Sequence, residues 1–235
     1  MWLFPLLAAL VSVVFTAALF RQWAQRRHLF QGLWTISLAM YALASFAMFL
    51  GVLNSWSAVE FRVYWLFGAV LTVPYLAVGE AYLLIKNGTV LRVLLTVLAM
   101  ATVLSALVIL SADVNTSVLE DSLPLGKDVF GQGSMAYRLA QVFAYPAYIF
   151  VVAGSVWSVS KMRKSPEMRD RSAGTILIAV GATVVAIGSG VGAGMNQPWL
   201  FAISLAIGVG IMFGGFLRAS GARRSPTPQS PETFR

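Results

Sequence analysis

The chain contains no cysteine, which excludes disulfides, thiolate metal sites, iron–sulfur clusters and cysteine nucleophiles. It contains one histidine, His28, so bis-histidine haem ligation and histidine-rich metal centres are beyond a single copy. Charge is scarce: 11% of the 235 residues are Asp, Glu, Lys or Arg, where a soluble domain carries about a quarter. There is no G-x-x-x-x-G-K-[ST] phosphate loop. Ser189 has a glycine on each side, but no base accompanies it, because His28 belongs to a loop near the start of the chain. No pair of aspartates lies within an apolar stretch, and the last apolar stretch has no lysine to carry a retinal Schiff base. These absences argue against enzymatic chemistry, and no cofactor or metal is expected.

Hydrophobic residue, by contrast, is abundant, at 58% of the chain, with a mean hydropathy of +0.78. It is gathered into seven long runs, at about 2–20, 30–53, 63–85, 90–111, 139–160, 173–194 and 198–217. A bilayer span needs about 20 apolar residues. A helix satisfies its own backbone in lipid, and the even alternation of a barrel strand is missing. The sequence therefore predicts an all-α bundle of seven transmembrane helices over residues 1–218, with a disordered cytoplasmic tail over 219–235. The first run has no basic residue before it, and its first charge is Arg21, so it is read as an uncleaved anchor.

The pI near 10.2 would suit a nucleic-acid binder, but the positions of the charges point to a membrane. Arg21, Arg26 and Arg27 follow the first run, and Lys86 and Arg92 the third. Lys161, Arg163, Lys164, Arg169 and Arg171 follow the fifth, and Arg218, Arg223, Arg224 and Arg235 the seventh. The alternate gaps hold only Arg62, Lys127 and Arg138. Fourteen against three predicts, by the positive-inside rule, a plasma-membrane protein with its N-terminus outside and its C-terminus cytoplasmic. The tryptophans are expected to form interfacial belts, with Trp2, Trp56, Trp65 and Trp199 outside and Trp23, Trp34 and Trp157 inside.

The longest gap, 112–138, carries Asp113, Glu120, Asp121 and Asp128 with the apolar pair Val129–Phe130. Two readings stand for it: a solvated connector, or a lid folded over the bundle. The tail after Ser220 is rich in Pro, Ser and charge, which precludes a core. Ser225, Thr227 and Ser230 each precede a proline there, as phosphorylation sites often do.

The first three runs echo the last three. Trp65-Leu66-Phe67 of the third answers Trp199-Leu200-Phe201 of the seventh, and Gly32 answers Gly174. A parallel three-plus-one-plus-three layout would follow, with the fourth run as linker. In layout alone this is similar to the SWEET sugar facilitators, whose proline-centred motifs are not found here. The run from Phe61 to Ala69, FRVYWLFGA, followed by Val73-Pro74-Tyr75-Leu76 and Gly79, resembles uncharacterised actinobacterial seven-helix membrane proteins. That resemblance implies the topology and no activity.

Glu80 is the one acid or base well inside a run. It precedes Lys86 by six residues, about 9 Å of helix rise. Intramembrane acids face the bundle interior or a wet cavity, so Glu80 is a candidate ligand anchor or proton-coupling residue. The plainer alternative is a hydrogen bond to a neighbouring helix, or a pair with Arg92. Thr72, Tyr75, Gly79 and Tyr82 recur at helical spacing beside Glu80, and Pro74 is expected to kink the helix. Tyr41, Tyr145 and Tyr148 are candidates to face the same cavity. Gly188/Gly192, Gly190/Gly194 and Gly210/Gly214 are spaced four apart, which suits close packing of the last two helices or of a homodimer.

The sequence therefore predicts a non-enzymatic membrane module that binds a small apolar or lipid ligand near the third span. It would act as a receptor or sensor, or as an accessory to a cytoplasmic partner protein. A small facilitator or proton-coupled transporter is the alternative.

Overall fold

The computed structural model describes residues 2–120, 123–162, 169–194 and 198–221, with only the backbone described for 162, 169–171, 191–194, 198 and 220–221. Arg163, Lys164, Asp121 and the tail with its Ser-Pro and Thr-Pro sites lie outside the described residues.

Among the described residues every element is helical. Seven helices are long and apolar enough to cross a membrane, which makes this a multi-pass membrane protein. They are α1 (Leu3–Arg26), α2 (Leu29–Asn54), α3 (Ala58–Leu84), α4 (Gly88–Ser111), α5 (Met135–Met162), α6 (Arg169–Gly194) and α7 (Pro198–Gly221).

Their ends have local causes. α1 runs past its apolar stretch to Arg26, because long basic side chains reach the interface from within a helix. It stops where Arg27 turns left-handed, at φ 54°. α3 begins five residues before the apolar run suggests. There Ser57 and Glu60 form a reciprocal capping box: the Glu60 amide donates to Ser57 Oγ at 3.2 Å, and the Ser57 amide donates to Glu60 Oε2 at 2.8 Å. The S-x-x-E signature for this start is present in the sequence at Ser57-Ala58-Val59-Glu60. Asn87 caps α4 by accepting from the amides of Thr89 and Val90.

α3 is not a uniform helix. Trp65–Leu71 is π-helical, between α-helical halves Ala58–Tyr64 and Thr72–Leu84. The expected disturbance at Pro74 is thus a change of winding one turn earlier. In an α-helix the Pro74 ring would press on the carbonyl of Val70 and leave it without a donor. In the wider winding, the Thr72 amide bonds the Phe67 carbonyl five residues back, and the Thr72 hydroxyl donates to the same oxygen at 2.6 Å.

The main helix contacts run α1–α2–α3–α5–α6–α7, and α7 returns to α1 to close a ring of six. α4 packs outside this ring, against α3 and α5. In lipid, apolar burial drives little, so close approach of backbones sets the helix pairs. The tightest pair is α6–α7, and its glycines are seven residues apart rather than four. A Cβ on Gly181 would lie 2.5 Å from the Gly208 carbonyl oxygen, and one on Gly174 would lie 2.5 Å from that of Gly215. Gly188 abuts Ser204.

Within one chain, this replaces the four-apart spacing expected between the last two helices. Seven residues are about two turns and stay on one face, whereas Gly208 and Gly210 lie about 200° apart around the helix. Gly190, Gly210 and Gly214 accordingly meet nothing within 4 Å. Gly192 and Gly194 fall where only the backbone is described.

Candidate functional site

At the end of the bundle away from most basic residues, the long loop folds down onto the helices. Leu119, Leu123, Val129 and Phe130 are buried. The Asn115 amide donates to the Val129 carbonyl at 2.9 Å, and Arg62 Nη2 donates to the Ala112 carbonyl at 2.8 Å. Phe130 packs on Phe61 and Trp65, and Trp65 Nε1 donates to the Ala136 carbonyl at 2.9 Å. The loop is therefore a packed cap and not a solvated connector. This also revises the tryptophan belts. Trp56 and Trp65 are buried in the cap cluster, and Trp34 lies against Gly79 with Nε1 donating to the Leu76 carbonyl at 3.1 Å. Trp2, Trp157 and Trp199 are exposed at helix ends, as a belt requires.

The candidate site residues divide among several interfaces. Glu80 is buried, 8% exposed, and turns from α3 towards α5. Its Oε1 accepts a hydrogen bond from the Ser155 hydroxyl at 3.3 Å. Gly154 permits this approach, since a Cβ there would lie 2.8 Å from Glu80 Oε1 and 2.7 Å from Leu84 Cδ1. Arg92 does not pair with Glu80; its Nε donates back to the Gly88 carbonyl.

Thr72 faces α2, where the Ser37 hydroxyl donates to its carbonyl at 2.7 Å. Tyr75 faces α4, with its hydroxyl 3.1 Å from that of Thr102. Tyr82 faces α4 too, towards the Leu91 carbonyl. The reason is rotational: at about 100° per residue, Tyr82 lies some 160° around α3 from Glu80. Tyr41 joins α2 to α7 by donating to the Leu205 carbonyl at 3.0 Å. Tyr148 joins α5 to α6 by donating to Thr183 Oγ1 at 3.2 Å. Tyr145 is 64% exposed on the outside of α5, so it does not face the interior. Sequence reasoning had no means of finding Ser155 and Gly154, because small residues in an apolar helix give no periodic signal.

Beside Glu80 the surface is indented. A shallow groove of about 280 Å³ lies between α3 and α5, lined by Leu84, Ile85, Phe150, Ala153, Gly154 and Trp157. Lys161 Nζ sits 4.0 Å from the centre of the Trp157 ring at the basic end of the groove. A larger depression of about 440 Å³ on α4 is lined only by Ala99, Met100, Val103, Leu104 and Leu107, which carry no polar side chain. Among the described residues no cluster of His, Asp and Glu has the makings of a metal site. Comparison with known families, characterised proteins and solved structures finds no match.

Proposed function

We propose that this is a non-enzymatic membrane module of a bacterial plasma membrane that binds a small apolar or lipid ligand beside α3, with Glu80 as its polar anchor. One observation carries the reading: a buried carboxyl that, among the described residues, accepts a side-chain hydrogen bond from Ser155 alone, packed against Gly154 on the wall of a shallow groove between two helices. A carboxyl kept only for structure would be expected to meet a fuller set of donors, because unmet polarity in lipid costs several kcal/mol. The basic end of the bundle, with Arg26, Arg27, Lys86 and Lys161, is read as cytoplasmic and as the face offered to a partner protein.

Native mass spectrometry of the full chain tests the reading. A small molecule that copurifies with the wild type and is lost from Glu80→Gln is expected. If nothing copurifies, and Glu80→Gln matches wild type in yield and melting temperature, the reading fails.

A second reading, a small facilitator with Glu80 as the coupling residue, draws on the ring. Exchanging α1–α2–α3 with α5–α6–α7 leaves the order of neighbours unchanged, as a parallel three-plus-one-plus-three repeat would require. Against close correspondence, Trp65 is buried whereas Trp199 is 42% exposed.

A further inference from the structure

We infer that Asn115, on the packed cap, is an acceptor for N-linked glycosylation and takes its glycan from a polyprenyl-diphosphate donor on the face opposite the basic residues. This rests on the reading of the basic end as cytoplasmic.

The chain has four asparagines, and two of them open an Asn-x-Ser/Thr triplet: Asn87-Gly88-Thr89 and Asn115-Thr116-Ser117. A triplet this short recurs by chance, so position and geometry decide between the two. Asn87 stands beside Lys86 at the basic end, away from the donor. Its side chain is committed to capping α4, with Oδ1 accepting from the Thr89 and Val90 amides. Asn115 stands at the other end, at the start of the short turn Thr116–Val118. Asn115, Thr116 and Ser117 are all exposed, which the bulk of a glycan requires. Leu119, Val129 and Phe130 stay packed behind them, and the Asn115 amide ties the acceptor to the Val129 carbonyl.

The third residue of the triplet already meets the first. Asn115 Oδ1 accepts from the Ser117 hydroxyl at 2.6 Å and from the Ser117 amide at 3.3 Å. A donor on the carboxamide oxygen draws electron density from Nδ2 and eases loss of its proton. In the transfer, Nδ2 bonds to the anomeric carbon of the glycan. The bond from that carbon to the diphosphate oxygen breaks, polyprenyl diphosphate leaves with the electron pair, and one amide proton passes to a base of the transferase.

The test is production of the full chain in a bacterial host supplied with a periplasmic oligosaccharyltransferase and its lipid-linked glycan, read by intact mass. The mass of one glycan is expected, lost in Asn115→Asp and in Ser117→Ala, and kept in Asn87→Gln and in Ser117→Thr. Asn115→Asp keeps the capping oxygen and removes only the amide nitrogen, so it separates loss of the acceptor from loss of the fold. An unmodified wild type, or a mass gain that survives in Asn115→Asp, overturns the inference. If that surviving gain is lost in Asn87→Gln, the orientation falls with it. An unmodified chain in which alkaline phosphatase inserted at the same turn is active leaves the orientation standing and removes the glycan alone.

Discussion

At the residue scale, small side chains do more to define this molecule than large ones. Gly181 and Gly208 bring two backbones together where lipid offers no hydrophobic drive. Gly154 does the same for a carboxyl. Gly181→Leu has no room, because its Cβ would meet a backbone carbonyl that cannot rotate aside. A loss of about 1–3 kcal/mol is expected, seen as a lower melting temperature in detergent. Gly210→Leu opens onto free space within the chain and is expected to melt as wild type does. Equal effects of the two substitutions would contradict the seven-residue register. Glu80 itself was legible in the sequence as the one charge within a span, and its burial agrees. Its partner was not, because nothing in a string of Ala, Gly, Ser and Val marks which residue of α5 faces α3.

At the element scale, α3 carries the features that the other helices lack. Its first half is tied to the cap through Phe61 and Trp65, and its second half is tied to α2 through Thr72 and to α5 through Glu80. The π-helical turn between them absorbs one extra residue, so both halves keep their faces. Deleting Ala69 should convert that turn to α-helix at modest cost. Deleting Ala77 should rotate the remainder of the helix by about 100° and remove Glu80 from Ser155. The expected outcome is a folded, monodisperse Ala69 deletion and a misfolded Ala77 deletion, judged by size-exclusion chromatography and thermal melting. Pro74 announced a disturbance in this helix. The form it took depended on Thr72 and Ser37, whose hydrogen bonds settle the wider winding.

At the scale of the whole molecule, six helices close a ring and the fourth stays outside it. The orientation predicted from the basic residues is open to a direct check. Alkaline phosphatase inserted in the Asn115–Ser117 turn should be active, and inserted after Arg27 it should be inactive; the reverse pattern would invert the bundle. The number and placement of the spans were determined by the sequence alone, because lipid demands an unbroken apolar run wherever a helix crosses, and no packing detail relaxes that demand. Which faces meet was decided only in three dimensions. A soluble helix advertises its buried side by polar residues on the other, but a helix in lipid is apolar all round and advertises nothing. So the ring, the place of α4 outside it, the Gly174–Gly181–Gly188 seam and the meeting of Glu80 with Ser155 became visible only when the backbones were brought together. The long loop became a cap for the opposite reason. It lies where water returns, and there burying Val129 and Phe130 again stabilises by about 2 kcal/mol for each side chain.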